Sequence, residues 1–69
     1  MSATEEILIG CLAAPDLKLR EAVALIVLSL LKTERQKEAM VYWIRDHYKE
    51  NPTEDEIIDV AEAISEQEK

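Results

Sequence analysis

From Ala22 to Leu31 the chain is apolar at every position except Ser29, and no other stretch limits its fold so strongly. The run is about half of the roughly 20 residues that span a bilayer. It reads as a core helix. At about 100° per residue, Lys18, Glu21, Ser29 and Lys32 fall in one narrow polar strip. The apolar arc runs from Ala22 through Leu19, Val23, Ile26, Val27, Leu30 and Leu31 to Leu28. By this construction it covers about 240°, against roughly 100° for an ordinary surface helix. A helix of that kind needs neighbours on most sides.

With 69 residues the chain is one domain, near the size where a single core leaves only a few kcal/mol of net stability. Cys11 is the only cysteine and His47 the only histidine, so neither an internal disulfide nor a Cys or His pair for structural zinc is available. Either the remaining helices surround helix 2 within one chain, or a second copy completes its burial. The shortage of residues favours the second, a twofold homodimer closed through Val23, Val27, Leu30 and Leu31.

The fold class expected is all-α, a compact four-helix domain with short antiparallel-type connections. Helix 1 spans about 5–13, opened by Ser2 or Thr4 and ended by Pro15. Helix 2 spans about 16–32, with Pro15 or Asp16 in its first turn. Thr33 and Gln36 have the T-x-x-Q form of a capping box, which starts helix 3 and carries it over 34–50. Asn51 and Pro52 stop that helix, and Thr53 with Glu56 forms a second box for helix 4 over 54–67. Connections this short favour sequence neighbours packing as hairpins. Gly10, the only glycine, falls inside helix 1, where it marks close packing or a tolerated weakness.

Charge is segregated. Residues 1–49 carry equal numbers of acids and bases, so the net charge of −7 belongs entirely to the last twenty residues. On helix 4, Asp55, Asp59, Glu62 and Glu66 recur at i, i+4, i+7 and i+11, which stacks four carboxylates on one stripe. Acids in the first turn suit the helix dipole. Asp59, Glu62 and Glu66 lie beyond that turn, so either bases on helices 2 and 3 neutralise them or they meet a protein with a basic surface. Nucleic acid and anionic membrane are not expected partners for such an end. Met-Ser-Ala-Thr-Glu-Glu places no basic segment ahead of an apolar stretch, so a cytoplasmic location is expected.

Helix 3 has an apolar face of Met40, Val41, Trp43, Ile44, His47 and Tyr48, and a charged face of Arg35, Glu38, Arg45, Asp46 and Lys49. Tyr42 falls on the charged face, where with Arg45 it is a candidate interface anchor. His47 reads as a boundary histidine bonded to a carbonyl or carboxylate, and Cys11 as a packed thiol. His47 and Glu50 at i, i+3 supply too few inward ligands for a metal bundle. There is no glycine-rich phosphate loop and no G-x-S-x-G, so neither catalysis nor a cofactor is expected.

The segment Asn51-Pro52-Thr53-Glu54-Asp55-Glu56-Ile57 resembles the loop and helix opening of helix-turn-helix DNA-binding proteins, including sigma-factor regions. That resemblance implies a DNA-reading helix at 54–67, yet this helix carries no Arg or Lys. The function expected is therefore a non-enzymatic interaction or regulatory module, homodimeric through helix 2. A small acidic inhibitor of a basic, nucleic-acid-binding protein is the alternative, and a helix-turn-helix regulator stands behind it.

Overall fold

The computed structural model describes residues 3–67, and Ser2, one of the two caps expected for helix 1, lies outside them. The described residues form α1 (Ala3–Leu12), α2 (Glu21–Leu30), α3 (Glu34–His47) extended by a 3₁₀ turn (Tyr48–Glu50), and α4 (Glu54–Gln67). No strand occurs among them.

The capping signals set the later boundaries. The Thr33 hydroxyl accepts from the Gln36 N–H at 3.1 Å, and Gln36 Oε1 accepts in return from the Thr33 N–H at 3.1 Å, so α3 starts with both halves of its box. The Thr53 hydroxyl accepts from the Glu56 N–H at 3.1 Å at the start of α4. Asn51 ends the 3₁₀ turn in the left-handed region at φ 52°, which asparagine tolerates, and Pro52 then blocks continuation.

Helix 2 departs from expectation. It begins at Glu21, not Asp16, because Pro15 and Asp16 occupy the middle of a turn in which the Leu17 N–H donates to the Ala14 carbonyl at 3.1 Å. Lys18 follows at φ 55°, a left-handed conformation that no helix interior contains. Leu17, within the expected bounds of helix 2, is buried from this irregular segment instead.

Packing also departs from simple hairpins. The main partner of α1 is α3, and that of α2 is α4, while α3 also packs on α4. Lys37 Nζ lies 3.5 Å from the Glu5 carboxylate, and Ile7 and Cys11 share surface hollows with Tyr42 and Arg45, so α1 and α3 run in the same sense. Arg20 meets Glu54 at one end and Gln36, just beyond α2, meets Ser65 at the other, so α2 and α4 do likewise. The eight residues 13–20 connect α1 to α2.

Leu8, Leu12, Val23, Val27, Leu31, Met40, Ile57 and Ala61 form the centre of one continuous core. Truncating one of these leucines to Ala costs about 2–5 kcal/mol. Gly10 is exposed, and a Cβ there would meet nothing within 4 Å, so close helix packing is not what places it.

Candidate functional site

Three surfaces carry the residues of functional interest. On the first, α2 turns Leu25, 60% exposed, and Ile26, 43% exposed, outward. Beside Leu25 an open groove of about 520 Å³ runs between α1 and α2, lined by Ile9, Leu12, Leu19, Ala24 and Leu28, with Arg20 and Glu21 on its rim. The expected dimer residues are placed differently. Val23, Val27 and Leu31 are buried within the single chain, in the core that α2 shares with Ile57 and Ala61 of α4, and Leu30 is half-buried. The width of the apolar arc is thus mostly used internally and leaves Ile26 outside, while Leu25 stands exposed within the polar strip of Lys18, Glu21, Ser29 and Lys32.

Ile9 escaped the sequence reading, although its signal was present. In Ile7-Leu8-Ile9 on a helix, burying Leu8 sends its neighbours about 100° to either side. Leu8 is fully buried. Ile9 accordingly reaches the α1–α2 groove, and Ile7 reaches the opposite edge.

That edge is the second surface. Thr4 and Ile7 of α1 face Glu38, Val41, Tyr42 and Arg45 of α3 across a hollow of about 240 Å³. Arg45 continues into the next hollow, whose walls include Cys11, Leu17, Ile44 and Tyr48. Tyr42 is 58% exposed. Lys49 Nζ sits 5.9 Å from the centroid of the Tyr48 ring, within cation–π range. Tyr42 and Arg45, adjacent in expectation, are therefore adjacent in space, on a surface that also contains Ile7 and Tyr48.

The third surface is the outward side of α4, where Asp55, Glu56, Asp59, Glu62 and Glu66 are all exposed. None of Asp59, Glu62 and Glu66 forms an ion pair with another described residue, so neutralisation by bases of α2 and α3 is not their explanation. Glu54 is different. The Arg20 backbone N–H donates to its carboxylate at 2.9 Å and Arg20 Nε at 3.1 Å, so a glutamate from α4 takes an otherwise unused donor at the start of α2. The backbone donation first, and the side-chain donation second, hold Glu54 below the usual carboxylate range. The side-chain bond first, and the charge of Glu54 second, raise Arg20 above its already high value.

His47 Nδ1 lies 2.9 Å from the Trp43 carbonyl, and because a carbonyl only accepts, Nδ1 carries the proton. Its ring stacks on Trp43 with centroids 4.5 Å apart. This is the carbonyl-bonded boundary histidine read from the sequence. Among the described residues no three His, Cys, Asp or Glu side chains gather as metal ligands would. No helix among them is long and apolar enough to cross a membrane.

Compared with known proteins, the chain matches no family model, no curated sequence and no solved structure.

Proposed function

We propose that this chain is a non-enzymatic protein-interaction module of the cytoplasm, homodimeric through the exposed face of α2. The observation that carries the reading is Leu25, an exposed large side chain standing beside an apolar groove on the same face. A surface that holds both a projection and a hollow is self-complementary under a twofold axis, with each Leu25 seated in the partner's groove. No acid of α4 lines the groove, so this contact does not press the two acidic helices together there.

Sedimentation equilibrium at roughly tens of micromolar, near where a modest interface is populated, should give at least twice the single-chain mass. Leu25→Glu should lower that mass while leaving the helical circular dichroism unchanged. A wild-type protein that sediments as one chain, or a Leu25→Glu variant of unchanged mass, overturns the reading.

A second reading is supported by the outward carboxylates of α4 that form no ion pair with another described residue. In it, Asp59, Glu62 and Glu66 dock on a basic protein surface, including one that otherwise holds nucleic acid, and the chain acts as an antagonist. Affinity for a basic target such as a histone or polylysine should fall steeply with salt and drop on changing all three residues to Gln. A flat salt dependence, or no loss in the triple variant, removes it.

A further inference from the structure

Along the outward side of α3, Glu38, Tyr42, Arg45 and Lys49 recur at i, i+4, i+7 and i+11. The first three lie on α3 and Lys49 in the 3₁₀ turn that extends it, and all four are exposed. The tighter 3₁₀ winding advances Lys49 by only about 20° per residue beyond the α-helical path, so the four side chains remain one stripe, about 16 Å long. Other long side chains of this chain are engaged internally, Arg20 with Glu54 and Lys37 with Glu5. Glu38, Tyr42 and Arg45, by contrast, make no hydrogen bond or ion pair with another described residue.

The order of the stripe is the informative part. Glu38 stands as far before the midpoint of Tyr42 and Arg45 as Lys49 stands after it. Reversing the direction of the stripe therefore exchanges acid for base and aromatic ring for guanidinium. We infer that the α3 face binds a second copy of the same stripe in antiparallel register across a twofold axis. Glu38 then faces the other copy's Lys49, and Tyr42 faces its Arg45, each pair occurring twice. The hollow lined by Thr4, Ile7, Val41 and Arg45 receives the incoming tyrosine, which supplies the apolar area that exposed ion pairs alone lack. A parallel arrangement is disfavoured by the same residues, because it sets Glu38 against Glu38 and Lys49 against Lys49. The acidic stripe of α4 reads the same in both directions and repels its copy either way.

This contact is independent of the one through α2, and the experiment keeps the two apart by working in the Leu25→Glu background. There the protein should still associate reversibly at roughly hundreds of micromolar, the range of a small, polar-rimmed contact. Lys49→Glu turns two attractive pairs into two repulsive ones and should weaken that association about tenfold. Glu38→Lys should weaken it similarly. That result is diagnostic, since this change lowers the net negative charge and would tighten any association limited by overall repulsion. The double exchange Glu38→Lys with Lys49→Glu, whose net charge equals that of the parent, should restore association to within about twofold of it. Circular dichroism on each variant confirms that the helices are retained. A background protein that stays monomeric, single variants with no loss, or a double exchange no better than either single overturns the inference.

Discussion

Gln36 shows how much one residue does in a chain this small. It is buried, its Oε1 accepts from the Lys32 N–H at 2.7 Å and the Thr33 N–H at 3.1 Å, and its Nε2 donates to the Ser65 carbonyl at 3.3 Å. One amide thus closes the α2–α3 connection, caps α3 and ties down the last turn of α4. The T-x-x-Q spacing makes the capping half readable from sequence, because it is local chemistry over three residues. The bond to Ser65 is not readable, since nothing in a single sequence says which distant carbonyl will stand opposite. Gln36→Ala should lower unfolding free energy by about 1–3 kcal/mol in urea titrations. Gln36→Glu keeps the acceptor oxygen of the box but sets a second carboxylate oxygen against the Ser65 carbonyl, so it should destabilise as well. A Gln36→Glu variant as stable as wild type would show that the cap alone matters.

Among elements, the contrast between α4 and α2 explains where sequence reasoning works. The span of α4, Glu54–Gln67, coincides with expectation because a stop signal, a cap and an amphipathic period all agree there. The start of α2 was misplaced because Pro15-Asp16 suits the first turn of a helix and the middle of a β-turn equally well. What decides is tertiary. Leu17 is buried from the turn, and Glu54 of α4 receives the N–H of Arg20, so the helix begins where a carboxylate from another element meets it. This brace has a pH signature. Glu54 is held below its usual value, so its contribution is complete above the ordinary glutamate range, near about 4.3, and is lost as pH falls through the lowered folded value. Arg20 stays protonated throughout. The melting temperature of wild type should therefore exceed that of Glu54→Gln at neutral pH, with the gap closing as pH drops below about 4. A gap that stays constant across that range would exclude the ion pair as its source. The pair is exposed, with 77% of the Arg20 side chain accessible, so salt should narrow the gap as well.

For the whole molecule, the all-α class and the number of helices were readable, and the lateral arrangement was not. Composition and periodicity say that α2 needs cover on most sides, but not which neighbour takes which side. On that ground the sequence points Val23, Val27, Leu30 and Leu31 to a dimer interface, whereas Val23, Val27 and Leu31 are buried within the chain, where α4 is the main partner of α2. Ile7, Ile9 and Ile26 are what remains outside once Leu8 and Val27 point inward, whereas Leu25 is already an apolar residue on the polar strip of α2. The candidate surfaces thus follow from the core by subtraction. Tyr42 and Arg45 could be picked out earlier because a tyrosine among charges is anomalous in sequence alone.

The pairing of α1 with α3 and of α2 with α4 has a consequence for how the chain acquires its structure. Glu5 meets Lys37, Arg20 meets Glu54, and Gln36 meets Ser65, so the ties between helices span about thirty residues each. No adjacent pair among α1, α2 and α3 can dock as an isolated hairpin, and the entropy of closing long loops must be met before the contacts return anything. Folding should be slower than in a bundle of sequential hairpins of equal size, and all-or-none. The most apolar helix, α2, leaves the ribosome well before α4, the element that shelters it. Until α4 has emerged, that surface lacks its main docking partner, and a chaperone or a neighbouring nascent chain is the cover within reach.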